Sequence, residues 1–222
     1  DFILSASQTL ATSAGTISIT ALRDIITNAS SVINTGATGS LSLLAANNVV
    51  AGTGNLPLGG NLSVGTGTLT LSSGINGTRP SWTINSAALT PLGATIGAIS
   101  INGFQDVTVS RNITGSGAIT INPQRDFILS ASQTLAGSGA ITVLALRDII
   151  TNASSVINTG AAGSLSLLAA NAVIAGTGNL TLGGSLSVGT GTLTLLSGIN
   201  GTRPSWTMSS GTFTMLGATV GI

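Results

Sequence analysis

Residues 117–136 read GAITINPQRDFILSASQTLA, and the rest of the chain follows from how this stretch folds. Ile119 and Ile121 flank Thr120, the period-two alternation that sends aliphatic side chains to one side of a strand and the hydroxyl to the other. Pro123 prevents a helix across the following corner, Asn122 to Asp126. Phe127 to Leu129 then reads as a second strand, and a third lies around Gln133 to Leu135, before another Gly/Ser-rich corner. Three short strands joined by small polar corners make one triangular coil. A single coil cannot bury its apolar face, so coils must stack like strand on like strand, with Ile, Leu and Val in interior columns. The expected fold is all-β, a right-handed parallel β-helix (β-solenoid), with Gly and Asn at corners that need left-handed backbone angles.

Outward from this coil, the chain repeats itself at two levels. DFILSASQTLA at residues 126–136 also occupies residues 1–11; ALRDIITNASSVINTGA occurs at 21–37 and 145–161; SGINGTRPSW occurs at 73–82 and 197–206. The offset is 125 residues for the first pair and 124 for the others. Residues 1–125 therefore form a first long repeat and 126–222 a second, truncated one, in a continuous solenoid read as an internal segment of a longer chain. Within each repeat, aliphatic-x-aliphatic, a short spacer, Arg/Gln/Asn, Asp/Asn and a further apolar stretch recur every 20–24 residues or so. That spacing implies about six coils per long repeat and, at about 4.8 Å per coil, an axial repeat near 29 Å.

Charged residues are only 5% of the 222, against about 25% in ordinary domains. They are six Arg and five Asp, with no Lys, Glu, His, Cys or Tyr. Nothing clusters basic charge as nucleic-acid binding requires. Mean hydropathy is +0.57, yet Ser, Thr, Asn or Gly interrupts every apolar stretch long before the roughly 18 residues of a spanning helix. Aromatics at 3% are too few for the girdles of a membrane barrel. Without His, Cys, Lys or Glu, the usual bases, nucleophiles and metal ligands are missing, so neither an enzyme nor a cofactor is expected.

Two residue groups stand out. The 73–82 stretch and its copy carry both tryptophans, and read as a loop leaving the coil once per long repeat. Arg79, Trp82, Arg203 and Trp206 are then candidate partner contacts; the alternative is that each Trp folds back over the core. The second group is a corner column: Asp24, Asp106, Asp126 and Asp148 share one register, preceded by Arg23, Gln105, Arg125 and Arg147. In neighbouring turns Asn48 and Ala172 follow at the Asp position, so the column is not strictly held. The column reads either as a stripe binding an anionic glycan or as a structural ladder, in which Arg of one coil pairs with Asp of the next. Exposed pairs of this kind contribute about 0–1 kcal/mol each.

The stretches GAITINPQRDFILSASQTLA (117–136), GTISITALRDIITNASSVINT (15–35) and GSGAITVLALRDIITNASSVINT (137–159) resemble the haemagglutinin-type repeats of filamentous haemagglutinin and other two-partner-secretion exoproteins of Gram-negative bacteria. The resemblance implies a long right-handed β-helix, export through an outer-membrane partner, and an adhesin or surface fibre. The expectation is a non-catalytic structural repeat of an extracellular or cell-surface fibre, whose partners are like copies stacked end to end or laterally. An adhesin shaft binding glycan or host protein through the Trp loop is the alternative. An ice-binding solenoid is a third reading, which needs Thr-x-Thr aligned over many coils; Thr68-Leu-Thr70 is not expected to recur in neighbouring turns.

Overall fold

A computed structural model describes residues 1–45, 54, 56–73, 82–84, 89–91, 96–169, 178–197, 207–208 and 213–215. Every element among them is a strand, and every strand-to-strand pairing is parallel. The chain is a β-solenoid. The strands form three sides of the coil, as the 117–136 stretch predicts, and one side is a single sheet of eight strands.

The first sheet holds eight strands, from Thr16–Ala21 through Ser40–Ala45, Leu69–Ser73, Ile99–Asn102, Ile119–Asn122, Ile141–Ala145 and Leu165–Ala169 to Leu193–Ser197. The second side carries Phe2–Leu4 and Ile25–Thr27 as one pair, then six strands from Trp82–Ile84 to Thr207–Met208. A parallel bridge from Thr27 to Leu58 continues the second side above the pair. The third side has four strands ending at Leu89–Pro91 and five beginning at Ile113–Gly115.

Register in the first sheet measures the coil. Ile17 pairs with Leu41, then Leu69, Ile99, Ile119 and Ile141, in steps of 24, 28, 30, 20 and 22 residues. One long repeat of 124 residues therefore contains five coils, which corrects the expected six. The sequence pattern samples the short coils well, but two coils per repeat are lengthened at a corner, and counting at 20–24 residues divides those into too many turns. Five coils at about 4.8 Å give an axial rise near 24 Å per long repeat.

The core is the set of inward columns. On the first sheet Leu41, Leu69, Ile99, Ile119, Ile141 and Leu165 stack in one, all at most 1% exposed, and Leu43, Leu71, Ile101, Ile121, Val143 and Leu167 in the next. β-branched and γ-branched side chains suit such columns, because each inserts between its counterparts above and below. Threonines also point inward where a lengthened coil passes. Thr27, Thr35, Thr151 and Thr159 are buried, and their hydroxyls accept the N–H of Gly60, Gly65, Gly184 and Gly189 at 3.0–3.2 Å. These bonds satisfy backbone donors that have no ladder partner at the corner.

The corners differ from expectation in one respect. Besides glycines such as Gly36 and Gly160, four serines adopt left-handed angles: Ser7, Ser30, Ser132 and Ser154, all near φ +60°. Each is the third residue of a turn closed by a bond such as Gln133 N–H to Ser130 O, the position where a type II turn requires positive φ. The strain is offset by coil-to-coil bonding, for example Ser132 N–H to Ala153 O at 3.1 Å.

Candidate functional site

The corner from the first sheet to the second is the chemically distinctive part of the molecule. In its short coils the chain passes from an Ala or Asn strand end through Arg or Gln to Asp, and all five carboxylates of the chain occur in this motif or its N-terminal counterpart. Asp106 receives both Nε and Nη2 of Arg125, with Nε at 2.7 Å, and the backbone N–H of Asp126 at 3.2 Å. Asp126 receives Arg147 in the same bidentate way, Nε at 2.7 Å, and the N–H of Asp148 at 3.2 Å. Lower in the stack, Asp1 accepts the N–H of Asp24 at 3.2 Å and lies 3.3 Å from Arg23 Nε.

The direction of pairing is the reverse of the expected one: each Arg reaches back to the Asp of the coil before it. Each Arg also stays within 3.6–3.8 Å of the Asp beside it in sequence, as for Arg23–Asp24, Arg125–Asp126 and Arg147–Asp148. The carboxylates alternate with guanidiniums along the column, so like charges never stack directly. Asp24, Asp106 and Asp126 are at most 9% exposed, whereas the Arg125 and Arg147 side chains are 39% and 37% exposed. The Asp end is thus more buried than a surface ladder would be. The hydrogen bond that Arg125 donates to Asp106 holds its guanidinium above its ordinary pKa, and the bond from Arg147 to Asp126 does the same for Arg147, in each case against an opposing desolvation effect.

Two members of the ladder were not recognised from sequence. Asp1 is one, although residues 1–11 are identical to 126–136 and so carry the same signal. Asn179 is the other: its N–H and Nδ2 both donate to Asp148 Oδ1, at 2.8 and 3.0 Å. Asn179 therefore stands above Asp148; Asn48 and Ala172 lie outside the described residues. The place of Asn179 was hidden because the coil is lengthened just before it.

Of the candidate loop residues, Arg79, Arg203 and Trp206 lie outside the described residues. Trp82 is in a strand of the second sheet, 7% exposed, with its ring stacked on Phe104 at 5.1 Å between centroids and 23° between planes. This is the core-covering placement, with Phe104 stacked on the ring. Trp82 pairs with Val107, one coil below the Asp106–Arg125 pair, and its backbone N–H donates to Asp106 O.

The outer surface of the first sheet carries no charge. Its central outward column is Ser18, Ser42, Thr70, Ser100, Thr120, Thr142, Ser166 and Thr194, a hydroxyl in every one of eight coils. Thr68-Leu-Thr70 itself is not repeated in the neighbouring coils, as expected: Ser40 and Ser42 stand below it and Ala98 and Ser100 above. The column on the other flank includes Asn102 and Asn122, joined side chain to side chain at 2.8 Å. Elsewhere, a shallow groove of about 310 Å³ is lined by Thr114, Gly115, Ala136, Gly137 and Asn158 and contains no titratable group. Among the described residues no three metal-ligating side chains gather, and no helix is long and apolar enough to cross a membrane.

Compared with known proteins, the chain matches no family model, no curated protein and no solved structure.

Proposed function

We propose that this chain is a structural repeat of an extracellular or cell-surface fibre, a rod that lengthens by five coils with each copy of the 124-residue unit. The supporting observation is the continuity of register across the repeat boundary. The coil that opens the second repeat, at Phe127–Leu129, stacks on Val107–Val109 like any other pair of coils. Further copies would add in the same way, with no change of geometry and no new interface. The ladder suits this role, because among the described residues it sets a guanidinium beside every carboxylate. The resemblance of the repeats to those of two-partner-secretion exoproteins supports an exported, Gram-negative surface setting. Trp82 lends no support to the adhesin alternative, since its ring is in the core.

Electron microscopy and fibre diffraction of the native material test the proposal. Long filaments with a meridional spacing near 24 Å and a strand spacing of about 4.8 Å are expected. Isolated globular particles, or filaments lacking both spacings, would refute it.

A further inference from the structure

The outward surface of the first sheet is where the two long repeats differ in a directed way. Thr20, Leu44 and Ser72 of the first repeat correspond to Leu144, Leu168 and Leu196 of the second. Leu144 pairs with Leu168 and Leu168 with Leu196, so three outward leucines stand in line beside the hydroxyl column, and Leu196 is 51% exposed. The fold does not need Leu144 and Leu196, because the same positions are Thr20 and Ser72 in the first repeat, while Leu44 and Leu168 are the same in both. A row of outward apolar side chains, half-buried at Leu144 and Leu168 and exposed at Leu196, offers a surface that another surface can cover. In the coil where Thr20 becomes Leu144, the residue on the opposite flank of the hydroxyl column changes from Thr16 to Ala140. One flank gains bulk where the other loses it.

We infer that this sheet pairs with the same sheet of a second copy, side by side and with the same polarity. A two-fold axis along the rod through the hydroxyl column places Ser/Thr opposite Ser/Thr. It also sets each Leu144 over the partner's small flank at Ala140, which accounts for the paired change. Only a partner with the same axial period stays in register over many coils, and a second copy has that period. The face has no charge to repel its counterpart. Eight strands about 4.8 Å apart and about five residues wide give roughly 600 Å² per copy, so about 1,200 Å² in the pair, the lower bound for a stable interface. Each further long repeat adds to it. The inference deepens the fibre reading by specifying which face bundles.

Sedimentation of the 222-residue chain over a range of concentrations should show a monomer–dimer equilibrium. Leu144→Lys with Leu168→Lys should weaken it at least tenfold with the β-sheet circular dichroism unchanged. Thr108→Lys, outward on the second sheet, should leave it as it was. Because the chain has no cysteine, Thr120→Cys and Thr142→Cys can each be probed with a short bis-maleimide. Same-polarity pairing links both to themselves; opposite polarity links at most one. A monomer at all concentrations, an association indifferent to the lysines, or linkage at only one cysteine position would overturn the inference. So would a monomer with thermal hysteresis, which would assign the face to ice. Single rods with the 24 Å repeat would sink the pairing and leave the fibre standing; pairs without that repeat would do the reverse.

Discussion

At the scale of the residue, the Arg–Asp ladder shows how few charges can be placed to lasting effect. Asp126 takes two bonds from Arg147 and one from the Asp148 backbone, so it ties one coil to the next three times. Hydrogen bonds to a charged group contribute about 1.5–3 kcal/mol when shielded, and the 37% exposure of the Arg147 side chain argues for the lower part of that range. Asp126→Ala should therefore cost about 1–2 kcal/mol, and Asp126→Asn about half of that, because the amide oxygen can still accept the Asp148 N–H. Urea denaturation of both variants checks this; equal losses would mean that the charge contributes nothing beyond the acceptor. Glycine is the other residue with a stringent position. A Cβ on Gly184 would lie 2.2 Å from Ser155 Oγ and 2.5 Å from Ser155 O, whereas on Gly137 its nearest neighbours are at 3.4 Å. Gly184→Ala should cost about 2–3 kcal/mol and Gly137→Ala well under about 1 kcal/mol, as judged by the shift in midpoint of thermal unfolding.

At the scale of the element, each strand is too short to persist alone and derives its order from the strands above and below. Strands of two to six residues repeat the same local pattern of inward aliphatics. The lengthened coils carry their extra residues between the end of a first-sheet strand and the second side, as from Ala45 to Leu58 and from Ala169 to Leu180. At the next corner, from the second side to the third, inward threonines accept the N–H of glycines in the coil above. Ladder and threonine are two solutions to one problem, the unpaired backbone of a corner. Strand identity was legible from alternation around Ile119 and Phe127. The partners of each strand were less so, because a loop of variable length moves the register without altering the pattern. That is why Asn179 escaped recognition while Asp126 and Asp148 did not.

At the scale of the whole molecule, stability comes from a one-dimensional sum of coil-to-coil contacts, and its dependence on pH follows from the few groups that titrate. Arg125 and Arg147 are raised above their ordinary values. A group raised on folding contributes its full stabilisation below its unfolded pKa and loses it only as pH climbs through the higher, folded value. For Arg that window is strongly alkaline. With no His, Cys, Tyr or Lys in the chain, no other side chain changes charge between about pH 6 and 11. The melting temperature should be constant across that range; a slope within it, followed by circular dichroism, would show a titrating contribution that these residues do not supply.

The sequence by itself determined the class of structure: alternation, corner residues and tandem identity are local properties, and a chain with these has few ways to bury its aliphatics other than by stacking coils. It also marked the Arg–Asp column, since a motif repeated on the same register must recur at the same corner. Only the tertiary structure decided how many coils make a repeat, which carboxylate each guanidinium grips, and that the Trp82 ring faces inward. The uninterrupted hydroxyl column, too, emerges only when strands separated by 20 to 30 residues are laid in register. The physical reason is common to all of these. They depend on which coil lies above which, and that is set by hydrogen bonding between strands distant in sequence, with corner lengths that no local pattern counts.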